Sequence, residues 1–120
     1  AAPTTADARL ARVVERARGF LYYVSFAGIT GADRLAVGDV SAKVAAIRAA
    51  TGTPVAVGFG VREPQQAAGI AGFADAVVVG SALVEHLAPH ADPGAAAAAA
   101  GAFLAPLRAA VDAARTRSAA

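Results

Sequence analysis

Three short runs of consecutive apolar residues, each followed by a glycine-bearing loop and each set between helix-periodic segments, restrict this chain more than any other feature. The runs are Phe20-Leu21-Tyr22-Tyr23-Val24, Pro54-Val55-Ala56-Val57 and Ala76-Val77-Val78-Val79. None alternates polar with apolar, so each reads as a strand buried on both faces, as a parallel sheet requires. The segments between them carry the helical period. Asp7 to Arg18 places Leu10, Val13, Val14 and Ala17 on one face, with Asp7 as N-cap and Gly19 as the stop. Asp39 reads as the cap of a second helix, bearing Val40, Val44 and Ile47 and stopping at Gly52. Pro64 opens a third helix lined by Ala67, Ala68, Ile70 and Ala71. The tail gives a short helix over Ala82 to Leu87. After Asp92-Pro93-Gly94 comes a longer one with Phe103, Leu104, Leu107 and Val111, which Pro106 is expected to kink or interrupt.

Helix and strand thus alternate, which calls for parallel strands joined by helical crossovers. A doubly wound sheet and a barrel both satisfy that order. Glycine placement favours the barrel: all three strands run into glycine-bearing loops, and a barrel gathers consecutive carboxyl ends around one mouth. The stretch from Ser25 to Gly38, with Gly28, Gly31 and Gly38, is long for such a connection, and long loops in compact domains are usually functional.

Composition excludes several classes. The net charge is +2 with aromatics at 6%, and the arginines are scattered, so no basic stripe or ladder of stacking rings suits nucleic acid. The apolar excess is largely alanine, and no run of about 18 bulky apolar residues exists to span a membrane. Without cysteine there is neither disulfide nor thiolate chemistry, which fits a reducing cytoplasm. Methionine is absent too, and the chain opens on Ala1-Ala2-Pro3 without a signal-peptide core, so it reads as a piece of something longer.

Strand-end glycines suit a phosphate, because main-chain N–H groups approach an anion best where no Cβ intervenes. Gly31, Gly60 and Gly80 occupy such places, and Gly80-Ser81 opens a short helix whose first amides and Ser81 hydroxyl can converge on one oxyanion. Each glycine alone is an ordinary turn residue; three at successive strand ends make a phosphate site the better reading.

Five blocks in order carry a family resemblance: Ala2-Pro3-Thr4-Thr5, Gly19-Phe20-Leu21-Tyr22-Tyr23-Val24-Ser25, Gly28-Ile29-Thr30-Gly31, Gly58-Phe59-Gly60-Val61 and Val79-Gly80-Ser81-Ala82-Leu83-Val84. Together they resemble the tryptophan synthase alpha subunit from the end of its fifth strand onward. The resemblance implies an α/β fold, the C-terminal part (about strands 6–8 with their helices) of a (β/α)8 TIM barrel. Residues 1–120 would then form a single partial domain without the barrel's N-terminal half. It implies a cytoplasmic lyase of tryptophan biosynthesis that splits indole-3-glycerol phosphate into indole and glyceraldehyde 3-phosphate. The implied partner is the beta subunit, in an alpha2-beta2 heterotetramer; that subunit, not this chain, would carry pyridoxal phosphate. By matching position, Gly31, Gly60, Gly80 and Ser81 would hold the substrate phosphate, Phe59 and Tyr22 would contact the substrate, and Thr30 would belong to the closing loop.

Phe26 departs from the polar residues common at its place in that loop. The family's catalytic Glu and Asp come from earlier strands, so the resemblance places no acid or base in this chain and implies that it is inactive alone. Its own carboxylates have simpler uses. Asp33 and Asp39 flank the long loop, Asp39 as a cap; Glu63 stands in a helix first turn; Asp75 precedes a strand, at the stability face. Glu85, His86 and His90 lack a third residue spaced as a metal ligand and read as solvated helix-end groups. The alternatives are a non-catalytic phosphate-binding module and another barrel enzyme acting on a sugar phosphate. Three parallel strands standing alone would also leave two open edges, so the segment is expected to associate or to need a longer chain for stability.

Overall fold

The computed structural model describes residues 2, 5, 7–24, 34–58 and 60–119, the side chains of 7, 34–37, 118 and 119 excepted. The elements are α1 (Asp7–Arg16), β1 (Leu21–Val24), α2 (Arg34–Thr51), β2 (Val55–Gly58), α3 (Pro64–Ala71), β3 (Ala76–Val78), α4 (Ser81–Leu87) and α5 (Pro93–Ala119). They fall into two compact units. One comprises residues 1–59 and 73–78, with α1, α2 and the whole sheet; the other comprises 60–72 and 79–120, with α3, α4 and α5.

In the first unit the strands lie in the order β1-β2-β3, parallel throughout. The register sets Tyr22 beside Ala56 and Ala76, and Val24 beside Gly58 and Val78. All three carboxyl ends therefore finish at one edge. Because side chains alternate across a strand, Leu21, Tyr23, Val55, Val57 and Val77 share one face and Tyr22, Val24, Ala56, Gly58, Ala76 and Val78 the other. The first face joins the core, where Leu21, Tyr23, Val55 and Val57 are buried with Val40, Val44 and Ile47. Burial on both faces holds for β2 alone. Tyr22 of β1 is 40% exposed and Ala76 of β3 is exposed, because these are the outer strands and their second face carries little cover.

The amino-terminal edge is stitched by one carboxylate. Asp75 Oδ2 accepts from the Val55 amide at 2.8 Å and from Arg48 Nε and Nη2 at 3.1 and 2.8 Å. Arg48 Nη2 also donates to the Phe73 carbonyl at 3.1 Å, and the Asp75 amide returns a bond to the Val55 carbonyl at 3.0 Å. The side chains of Arg48 and Asp75 are 43% and 39% exposed, so their attraction is screened; the Val55 bond matters more, since Val55 is buried.

Four further expectations change. Asp7 is the first residue of α1 and not its cap. Phe20 lies outside β1 and is 61% exposed. Asp39 is no cap: α2 begins at Arg34, so Asp39 sits inside the helix, on its exposed side. The spacing of Val37, Val40, Val44 and Ile47 extends the apolar period upstream, and the helix follows that period through Gly38. Pro106 does not interrupt α5, which continues from Pro93 to Ala119. Asp92 caps this helix, its Oδ2 accepting from the Ala95 amide at 2.8 Å.

Within the second unit, α5 packs on α3 and α4. Val61, Ala67, Ile70, Ala71, Ala82, Leu107 and Ala114 are buried. Residues Pro93–Arg117, with mean hydropathy 1.4, are long and apolar enough by length and composition to cross a bilayer. That value comes mostly from alanine, whose single methyl brings little transfer energy compared with leucine or valine.

Candidate functional site

The carboxyl edge of the sheet carries the first candidate. The Tyr22 ring leans along the strand and lies across Gly58: a Cβ at Gly58 would meet its hydroxyl and would fall 2.8 Å from Cζ. Glycine permits that close approach, and its absent side chain lets the phenol settle toward the strand ends. Beside it, burial raises the Tyr23 hydroxyl above its ordinary value of 10.0, with Lys43 opposing.

In the second unit, Gly60 adopts a left-handed conformation, φ 61°, that residues with a Cβ rarely take. No described heavy atom lies within 4 Å of where a Cβ would project at Gly60 or Gly80, so both present open backbone. Gly80 is the N-cap residue of α4, and its carbonyl accepts the Val84 amide at 3.1 Å. The earlier first-turn amides, Ser81 to Leu83, have no acceptor within the helix, and Ser81 is exposed beside them. This is the local chemistry an oxyanion needs. Phe59, Gly31 and Thr30, together with Phe26, Gly28 and Asp33, lie outside the described residues.

Two contacts around α4 had no signature in the sequence. Arg62 donates to Glu85 through both terminal nitrogens, at 2.6 and 2.8 Å, in a fork across which each side chain stays 55% exposed. Hydrogen bonding to Arg62 holds the Glu85 carboxyl below its ordinary range, and the same bond raises Arg62. His86 faces Phe103 of α5 in a stack with centroids 4.1 Å apart, and its Nδ1 lies 2.8 Å from the Ala82 carbonyl. Spacing identifies helix faces but not which long side chains meet between elements, so neither pairing was foreseeable. A surface cavity of about 450 Å3 opens in this unit beside His86, His90, Phe103, Pro106 and Leu107; none of the candidate glycines lines it. Among the described residues no group of three or more His, Cys, Asp or Glu could hold a metal ion.

Three parallel strands taken in chain order, with helices between them, are the C-terminal part of a (β/α)8 barrel, about its sixth to eighth strands. Solved structures make the comparison direct. A tryptophan synthase alpha chain from Legionella pneumophila superposes with a TM-score of 0.72 at 34% identity, covering 93% of this chain and 40% of that one. A Mycobacterium tuberculosis tryptophan synthase structure gives 0.74 at 40% identity, covering 92% and 40%. The model of the family described as tryptophan synthase alpha chain matches residues 1–111, and the chain belongs to that family. Among curated relatives, the tryptophan synthase alpha chain of Xylella fastidiosa is 53% identical over 113 residues, 94% of this chain and 42% of the relative. That of Caulobacter vibrioides is 59% identical over 87 residues, 72% and 32%. The chain therefore spans about two fifths or less of the length of these relatives.

Proposed function

We propose that the protein to which this chain belongs cleaves indole-3-glycerol phosphate to indole and glyceraldehyde 3-phosphate, as a cytoplasmic lyase of tryptophan biosynthesis. This chain supplies the phosphate grip and the closing loop. The observation that carries the reading is the register that ends Val24, Gly58 and Val78 side by side, with Gly60 and Gly80 each two residues further along the chain from β2 and β3. Amides at Gly31, Gly60, Gly80 and Ser81 hold the substrate's doubly charged phosphate where no side chain obstructs it. Phe59 and the Tyr22 ring contact the substrate, and the loop carrying Thr30 closes over it. The partner is a beta subunit bearing pyridoxal phosphate, which receives the indole within an alpha2-beta2 assembly.

Breaking the carbon–carbon bond needs a proton delivered to the indole ring and one removed from the glycerol hydroxyl. The described carboxylates have other structural settings: Asp75 binds Arg48 and the Val55 amide, Glu85 binds Arg62, Asp112 binds Arg108 at 2.8 Å, and Asp92 caps α5. Asp39 lies within α2, Glu63 at the start of α3 and Glu15 on the exposed side of α1. We assign the acid and base to a Glu and an Asp of the earlier barrel strands, and expect this chain alone to release no indole above background.

Titration of the 15N-labelled longer protein with indole-propanol phosphate tests the reading. Shifts at the amides of Gly60, Gly80 and Ser81 support it; shifts elsewhere, or none at millimolar ligand, overturn it. A sugar phosphate moving the same amides while the indole ligand does not would identify a different barrel enzyme. Indole release by the longer protein, set against a phosphate site that binds without turnover, separates the lyase from a binding module.

A further inference from the structure

We infer that Arg62 and Glu85 are positioning residues of the phosphate site, clamping the turn at Gly60 to the helix that Gly80 and Ser81 open. The inference rests on the phosphate reading above and adds to it two residues with no expected role.

Arg62 stands two residues past Gly60, and Glu85 stands four past Ser81. A separation of four puts Ser81 and Glu85 on the same face of α4, one turn apart. The fork at 2.6 and 2.8 Å therefore joins the Gly60 segment to the Ser81 face. A planar guanidinium meeting a carboxylate through two parallel bonds restricts angle as well as distance, which a lysine ammonium cannot do.

Each end of the clamp is rooted. On the α3 side, Gln66 Oε1 accepts from the amides of both Arg62 and Glu63, at 2.8 and 3.1 Å, and fixes the backbone from which Arg62 projects. On the α4 side, the His86–Phe103 stack seats the helix against α5. Without the fork, the Gly60 turn and the seven-residue α4 would be aligned only through the separate packing of α3 and α4 on α5. Such freedom weakens binding, because a ligand must then order what the fold has left loose.

Positioning and plain electrostatics differ in sign, which makes the inference testable. Glu85 carries a negative charge one turn along α4 from the amides that would meet a phosphate. If charge alone mattered, Glu85→Gln would tighten phosphate binding and Arg62→Gln would weaken it. If the clamp matters, both substitutions weaken it.

The experiment titrates inorganic phosphate into the longer protein to which this chain belongs, following the 15N amides of Gly60, Gly80 and Ser81, with melting temperatures recorded alongside. Arg62→Gln and Glu85→Gln are each expected to raise Kd about two- to five-fold, the range for a solvent-exposed fork. The exchanged pair, Arg62→Glu with Glu85→Arg, is expected to restore the Kd of the parent. The difference between parent and variants should shrink in about 1 M salt, where the Debye length falls to about 3 Å. Tighter or unchanged binding in Glu85→Gln overturns the clamp while leaving the phosphate reading standing. Affinity lost only in step with melting temperature also overturns it. Failure of the parent chain to bind phosphate through these amides removes the reading and the inference together.

Discussion

Gly58→Ala tests the contact between β1 and β2 at the carboxyl edge. The new methyl would fall 2.8 Å from Tyr22 Cζ, closer than non-bonded carbons approach, so the ring must leave. A tyrosine side chain carries roughly 200 Å2 of surface; with Tyr22 40% exposed, about 120 Å2 of that is covered. Losing half of this cover, about 60 Å2, costs about 1.5 kcal/mol at ~25 cal/mol per Å2. Replacing glycine inside a strand returns about 0.5–1 kcal/mol of backbone entropy. The single substitution is therefore expected to destabilise by only about 0.5–1 kcal/mol while displacing the phenol. With Tyr22→Ala already present, the same methyl meets no ring and should stabilise by about 0.5–1 kcal/mol. Urea unfolding of the parent, both singles and the double, followed by far-UV circular dichroism, should give a coupling energy of about 1.5 kcal/mol. A cycle additive to within about 0.5 kcal/mol, or Tyr22 ring resonances unmoved in Gly58→Ala, would refute the argument.

Three further outcomes follow from named bonds. Asp75→Ala strips the buried Val55 amide of its side-chain acceptor and should cost about 1–3 kcal/mol, whereas Asp75→Asn, keeping an oxygen there, should cost less; thermal melts compare them. Tyr23 has its folded value raised by burial, so its contribution is complete below pH 10.0 and is lost as pH climbs through the raised value; Tyr23→Phe should flatten that alkaline limb. Glu85 is held below its ordinary 4.5 by Arg62, so its contribution is present at neutral pH and fades as pH falls through the lowered value. Glu85→Gln should remove that part of the acid limb at low salt and change little in about 1 M salt, where the screening length is only about 3 Å.

Pattern reading succeeded where the signal was periodic and local. The three apolar runs became β1, β2 and β3 within a residue or two, and Pro64, Gly52 and Asp92-Pro93 marked helix ends because the backbone chemistry of those residues acts over one turn. It failed where a local signal competed with a longer one. Asp39 looked like a cap after a glycine, yet the apolar spacing already ran through Gly38, and the helix followed the spacing. The Tyr22 contact was invisible because register alone brings Gly58 beneath the ring. For the site, glycine placement pointed to Gly60 and Gly80, whose open backbone the structure displays. It could not reveal Arg62 and Glu85, since which ends of two long side chains meet is decided by helix packing.

Asp75 closes one rim of the sheet by accepting from a strand amide and a helix guanidinium, while the opposite rim carries the carboxyl ends of the three strands. Slippage of β2 past β3 by one residue would exchange their faces, and this carboxylate ties them at the rim where exchange would start. Loops at the far rim are thereby released from keeping the strands aligned. A substitution there can alter what is grasped and how tightly without loosening the frame beneath.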